Sequence, residues 1–292
     1  MAGRGWLAQE RKMEETTLAT GTHVPKALPS GACDSHLHLY DTAIIDAPAA
    51  PNPLAGCTAG RYRALRDSLG LQRAVIVTPA PHVVDNRVTL AAIQALGARD
   101  TRGVGVVFPD VTDAELQRLH DGGIRGIRFT VAIPRTAVTR IDMLPALAPR
   151  VHALGWHVQL HMTPAQIVES QAIIERLPCG IVFDHMARLA DGPLDERAWA
   201  IVQDRLQTGR TWVKLSGHYL AADAATARNV ASRLAAAAPE RMVWGSDWPH
   251  PTEMPTPPET ASTLAVLEDW VPDAGQRKRI LVDNPEQLYG FK

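Results

Sequence analysis

The sequence predicts a (β/α)8 barrel, the α/β fold of the TIM class, on three observations. Eight short apolar runs recur along its 292 residues. Longer amphipathic stretches separate them. A doubly wound open sheet, the other fold this alternation allows, predicts a glycine-rich phosphate loop after an early strand, and neither G-x-G-x-x-G nor a Walker sequence occurs. Strand alternating with helix implies right-handed βαβ units. Eight such units in about 250 residues match the barrel.

The runs are residues 32–39 (ACDSHLHL), 73–79 (RAVIVTP), 103–109 (GVGVVFP), 124–131 (IRGIRFTV), 156–162 (WHVQLHM), 180–186 (GIVFDHM), 211–217 (TWVKLSG) and 241–247 (RMVWGSD). They are rich in Val and Ile with few internal charges, as parallel strands covered on both faces should be. Between them, residues 113–123 carry Leu116 and Leu119 at helical spacing and stop at a glycine pair, a C-terminal signal. Residues 163–178 open with Thr163 as N-cap and Pro164 at the first helical position. Residues 226–240 predict another helix. Residues 41–57, rich in Pro and Ala, form a long loop after the first strand; it reads equally well as a lid over the barrel mouth or as a passive surface loop.

The first 25 residues are polar and aperiodic and lack the apolar core of a secretory signal. They predict a flexible N-terminal tail, within which Met13 offers an alternative start. Residues 26–292 predict a single barrel with no internal repeat and no second domain. Hydrophobic residues make up 46% of the chain, enough for a substantial core. Lys+Arg number 30 and Asp+Glu 31, so clustered positive charge for nucleic acid or an anionic membrane is not expected. No apolar run reaches the roughly 20 residues that span a bilayer. Three cysteines, Cys33, Cys57 and Cys179, are odd in number and far apart, which argues against a disulfide framework or a zinc knuckle and for a reducing, cytoplasmic setting. A homodimer is compatible with the sequence, which marks no interface.

Barrel enzymes carry their chemistry at the C-terminal ends of the strands, and the polar residues concentrate there. His36 and His38 end the first run, Arg125 and Arg128 lie on the fourth, and Gln159 and His161 on the fifth. Asp184 and His185 end the sixth, Lys214 and Ser216 lie on the seventh, and Ser246, Asp247 and His250 end the eighth. Any one of these histidines alone reads as a hydrogen-bonded structural residue. Together they do not, because a barrel interior cannot hold so many unpaired polar groups without a partner: metal, water or substrate. Residues i and i+2 of a strand point to one side. His36 and His38 therefore form a pincer suited to one cation or one polarised oxygen. By the same rule Arg125 and Arg128 diverge; Arg128, nearer the strand end, is the site candidate.

The motifs DSHLHLYD, GIRGIRF, GWHVQLHM, IVFDHMAR, WVKLSG and RMVWGSDWPHP, closing with NPEQLYGF, resemble the amidohydrolase superfamily. They are most similar to its branch of 2-pyrone-4,6-dicarboxylate lactonases, sugar-acid lactonases and sulfomuconolactone hydrolases. The resemblance implies a barrel enzyme that opens a small anionic lactone. It implies Asp247 as the residue that activates water and His36, His38 and His185 as groups that polarise the carbonyl. It implies Arg128, Arg135 and Arg188 as partners of substrate carboxylates, Arg135 only after a one-residue shift. The chain departs from the pyrone lactonases where they carry a tyrosine on strand 5, a serine after strand 2 and an arginine after strand 7. Here those positions hold His161, Ala80 and Tyr219. Missing carboxylate partners argue against 2-pyrone-4,6-dicarboxylate itself as substrate. His161 and Tyr219 become candidate substrate-binding residues in their place. Lactone isomerases are also similar, but the intact histidine pair and the final aspartate favour hydrolysis.

Two chemistries remain open. The resemblance to mononuclear amidohydrolases implies one divalent metal, Zn²⁺ by preference, on His36, His38, His161 and Asp247, with His185 nearby; imidazole and carboxylate ligands suit zinc. A metal-free scheme, in which histidines donate to the carbonyl oxygen and Asp247 is the general base, is the close alternative. A zinc-dependent decarboxylase or a lactone isomerase on the same barrel is the other enzymatic reading, and a degenerate scaffold barrel the non-enzymatic one.

Overall fold

Each apolar run becomes a strand in the computed structural model, which describes residues 27–45, 54–134, 137–254 and 256–292. The strands are β1 (Cys33–Leu37), β2 (Arg73–Val77), β3 (Thr101–Gly105), β4 (Ile124–Thr130), β5 (His157–His161), β6 (Gly180–Phe183), β7 (Thr211–Leu215) and β8 (Met242–Trp244). They form one sheet in sequence order, every pair parallel. The seam between β8 and β1 is closed by backbone. Asp247 N–H donates to His36 O at 2.8 Å and His38 N–H donates to Trp248 O at 2.7 Å. Gly245 makes this approach possible, since a Cβ there would lie 2.5 Å from His36 Cβ. The chain thus forms a (β/α)8 barrel.

The third strand starts two residues before the predicted run and stops at Gly105. Its end has a cause. The Asn86 side chain accepts from Val106 N–H (3.0 Å) and donates to Val106 O (2.9 Å), taking those groups out of the sheet ladder. At its start, Arg102 is tolerated in a strand because its guanidinium donates to the carbonyls of Ala98, Arg99, Thr101 and Gly290.

The helices among the described residues are α1 (Ala59–Ser68), α2 (Arg87–Leu96), α3 (Asp113–Asp121), α4 (Leu144–Ala153), α5 (Pro164–Glu169), α6 (Gln171–Ile174), α7 (Glu196–Gln207), α8 (Ala224–Ala237), α9 (Thr260–Trp270), α10 (Ala274–Lys278) and α11 (Asn284–Tyr289). Thr163 caps α5 as its sequence predicts, through a capping box with Gln166. The helix expected over 163–178 breaks at Ser170, whose ψ of 6° interrupts the ladder between α5 and α6. Helical faces such as Ala198, Val202 and Leu206 of α7 pack on the barrel wall and form one continuous core with the strands. None of the described helices is long and apolar enough to cross a membrane.

The predicted tail and Arg135 lie outside the described residues, as does the middle of the predicted lid. At the neck of that loop, Tyr40 N–H donates to Cys57 O at 2.9 Å.

Candidate active site

His36 and His38 leave β1 on the same side, as their spacing predicts, with their Nε2 atoms 3.2 Å apart. His38 is buried, and its Nδ1 lies 2.8 Å from Val77 O. A carbonyl only accepts, so the ring proton sits on Nδ1 and the Nε2 lone pair faces His36. Nδ1 of His36 lies 3.2 Å from Asp184 Oδ1. Lys214 Nζ lies at 3.2 Å from the same nitrogen.

Asp247 completes the group. Its Oδ1 is 3.4 Å from Nε2 of both histidines. Among the described residues this buried oxygen has no hydrogen-bond partner. Three potential ligand atoms therefore face one another at 3.2, 3.4 and 3.4 Å. Tetrahedral coordination with bonds of 2.0–2.1 Å sets ligand atoms about 3.3–3.4 Å apart. The site fits a zinc-sized cation. His185 adds a further ring nitrogen: His36, His185 and Asp247 offer ligand atoms within 4.8 Å of one another.

Charge supports the same arrangement. Burial and the Lys214 ammonium hold His36 well below the ordinary imidazole value, and burial lowers His185. Burial works against ionisation of Asp247, yet the imidazoles of His185, His38 and His36 hold it well below the usual carboxylate range. Neutral imidazoles beside an ionised carboxylate are what a cation or a water to be deprotonated requires. Tyr219 donates its hydroxyl to the other oxygen, Asp247 Oδ2. That bond leaves Oδ1 as the free face of the carboxylate.

The backbone around these residues is strained. His185, Met186, Ala187 and Arg188 all have positive φ (48° to 56°), a left-handed turn directly after β6. Asp247 has φ 61°. Non-glycine residues adopt this region at a cost of about 1–2 kcal/mol each, and such strain clusters at functional sites. The turn carries His185 against Ser216 Oγ (Nδ1 at 3.0 Å) and brings Arg188 back toward β5. Gly217 makes room for it, since a Cβ there would lie 2.8 Å from His185 Nδ1.

Beneath the histidines lies a charged layer that spacing alone does not reveal. Asp184, wholly buried, accepts at Oδ2 from Arg128 Nε (2.9 Å) and Gln159 Nε2 (3.0 Å). Lys214 Nζ donates to Gln159 Oε1 at 2.8 Å and lies 3.5 Å from Asp184 Oδ1. Burial would raise Asp184, but Arg128, His36 and Lys214 hold it well below the usual range. Burial brings Lys214 down to about 8. A second network, centred on Asp34, clamps the β1–β8 seam. Its carboxylate accepts from Ser246 N (2.8 Å), Ser246 Oγ (2.6 Å), His36 N (3.1 Å) and Tyr62 Oη (3.0 Å). The D-x-H-x-H spacing could have flagged Asp34; its partner Ser246, more than two hundred residues away, could not.

The remaining predicted residues surround the mouth. Arg128 is buried with Nε on Asp184. Arg188 donates to Asp191 Oδ2 at 2.6 Å, and its Nη1 lies 3.3 Å from His161 Nε2. His161 stacks edgewise on His185 with centroids 5.1 Å apart; its Nδ1 has no partner among the described residues. The structure therefore gathers His36, His38, His185 and Asp247 around one point and sets His161 one ring away, beside Arg188. Arg125 donates to the carbonyls of His120 and Ile124, away from the mouth.

The sequence matches the family described as amidohydrolase over residues 33–291. It is 33% identical over 279 residues to a 2-pyrone-4,6-dicarboxylate hydrolase of Comamonas testosteroni, covering 90% of this chain and 91% of the relative. It is 31% identical over 286 residues to a 4-sulfomuconolactone hydrolase of Rhizobium radiobacter, with 90% and 91% covered. It is 30% identical over 282 residues to a D-galactarolactone isomerase of Agrobacterium fabrum, with 92% and 94% covered.

Proposed function

The chain belongs to the amidohydrolase family, and on that premise we propose that it is a lactonase-type hydrolase that opens a small anionic lactone. The substrate class is a carboxylated or sulfonated muconolactone, a pyrone or a sugar-acid lactone, as the relatives' activities suggest. The observation that carries the reading is the meeting of His36, His38, His185 and Asp247 around one unpartnered carboxylate oxygen.

The residues divide the work as follows. Arg128, Arg188 and Arg135 hold the anionic group of the substrate, with His161 supporting Arg188. The lactone carbonyl lies over the histidines. Asp247 takes a proton from water as the water oxygen adds to the carbonyl carbon. The tetrahedral adduct collapses with cleavage of the ring C–O bond, and Asp247 returns the proton to the departing oxygen. Tyr219 keeps Asp247 oriented through Oδ2. His36, His38 and Asp247, with His185 beside them, would hold a divalent cation, Zn²⁺ by ligand type. Such an ion supplies Lewis acidity and lowers the pKa of water to about 7. An ester carbonyl is electrophilic enough for a metal-free route in which His36 and His185 donate the hydrogen bonds, since His38 has its proton on Nδ1 toward Val77 O.

Isomerisation is the second reading, favoured by the galactarolactone isomerase among the relatives. It moves protons without adding water to the product. The three cysteines are free and buried, which supports a cytoplasmic setting.

The test is a lactone panel run in ¹⁸O-water, with elemental analysis of protein purified without added metal. Lactone opening with one ¹⁸O in the new carboxylate supports the reading; a rearranged lactone without ¹⁸O, or CO₂ release, overturns it. About one zinc per chain, with activity lost on chelation and restored by zinc, supports the metal site. Full activity without metal assigns the histidines to direct hydrogen bonding.

A further inference from the structure

The barrel order places β1 and β2 across the mouth from β5 and β6. The two sides differ in chemistry. Arg128 on β4 and Arg188 after β6 put positive charge on one side. Across from them stand Tyr40, just beyond β1, and His82, in a single helical turn after β2. Their rings meet edge to face at 5.6 Å between centroids. The bond between His38 Nδ1 and Val77 O holds these two strand ends together at the metal-capable group. Tyr40 is only 4% exposed. Nδ1 of His82 is shut off from solvent and has no hydrogen-bond partner among the described residues. The next residue, Val83, is a β-branched side chain at φ 53°, a conformation with a cost that the loop must have a reason to bear.

Both rings are uncharged at neutral pH. Burial lowers His82, and burial together with the Asp247 carboxylate raises the Tyr40 phenol. Neutral rings cannot compensate a desolvated carboxylate, whereas an aromatic face welcomes a flat, unsaturated ring. An unpartnered imidazole nitrogen behind that face costs free energy until a ligand supplies its hydrogen bond.

We propose that Tyr40 and His82 form a specificity wall that receives the uncharged, planar part of the substrate, with His82 Nδ1 hydrogen-bonding a neutral oxygen on it, so that the enzyme selects unsaturated lactones charged at one end only. This rests on the lactonase reading above and narrows it.

The test compares a butenolide bearing one carboxylate with dianionic 2-pyrone-4,6-dicarboxylate. The expected result is a kcat/KM at least tenfold higher for the monoanion. His82→Ala raises KM for the monoanion about tenfold with kcat changed less than threefold. His82→Asn, which restores a short polar group, recovers most of the loss. Preference for the dianion, or a KM within twofold of wild type in His82→Ala, overturns the proposal. If neither lactone is opened, the lactonase reading fails separately. Calorimetry with a non-hydrolysable monoanionic lactam then decides the wall. Binding tighter than that of a dianionic lactam and weakened by His82→Ala supports it; equal or weaker binding, or no effect of the substitution, overturns it.

Discussion

Asp184 Oδ1 lies 3.2 Å from Nδ1 of His36, at the nitrogen opposite the one that faces Asp247. This pairing orients the His36 ring and so the nitrogen that it turns toward Asp247. The same carboxylate balances Arg128 and lies 3.5 Å from Lys214. Asp184→Asn is expected to lower kcat, and any metal affinity, by about 10–100-fold. It also leaves two buried cations short of a counter-charge, with a stability loss of about 3–5 kcal/mol. Steady-state kinetics, metal titration and denaturant unfolding check the three effects.

Tyr219→Phe removes the hydroxyl that donates to Asp247 Oδ2. A hydrogen bond to a charged group contributes about 1.5–3 kcal/mol, so kcat/KM is expected to fall by about 10–100-fold. The ring still packs edge to face on His250, with centroids 5.3 Å apart, and the fold should persist. Kinetics and circular dichroism on the purified variant test this.

Activity requires His36 and His185 neutral, and both are held below the ordinary imidazole value. Protonation therefore begins only at pH below about 6.5, the unperturbed value. The rate is expected to stay flat from about pH 7.5 down to that point and to fall below it. Lys214, brought down to about 8 by burial, loses its charge above that pH and leaves Asp184 without one partner. An alkaline decline near pH 8 that disappears in Lys214→Met is the expected signature. A pH–rate profile of both proteins measures it.

Asp34→Asn places an amide where four donors converge from Ser246, His36 and Tyr62. A stability loss of about 3 kcal/mol is expected from the buried bonds lost. Burial raises Asp34 to about 6, above its unfolded value. The native state thus holds a proton that the unfolded chain has released, and that contribution is lost as pH rises through 6. The gap between wild type and variant should be wider at pH 4–5 than at pH 7, as unfolding measured at both values will show.

The barrel was legible because buried parallel strands leave apolar runs that any reading detects, and the period of two placed His36 and His38 on one face before any coordinates. Thr163 and Pro164 marked a helix start that the structure keeps. Other features had no local signal. The end of β3 is set by Asn86, a side chain from the start of the preceding helix, and not by the apolar run itself. The left-handed turn of residues 185–188 contains no glycine or asparagine to announce it. The bond from Arg128 Nε to Asp184 had no local signal either, being a pairing between strands that sequence distance hides. His82 lay in a loop read only for what it lacked, and its unpartnered nitrogen is visible only in three dimensions.

The most direct measurement is the lactone-opening rate of Asp247→Asn beside wild type at pH 7, with folding checked by circular dichroism. Asparagine keeps the shape and removes the charge and basicity that the histidines surround. A loss of about a thousandfold or more in kcat, in a folded protein, is the predicted result. A rate within twofold of wild type on every lactone that the enzyme opens would contradict the account.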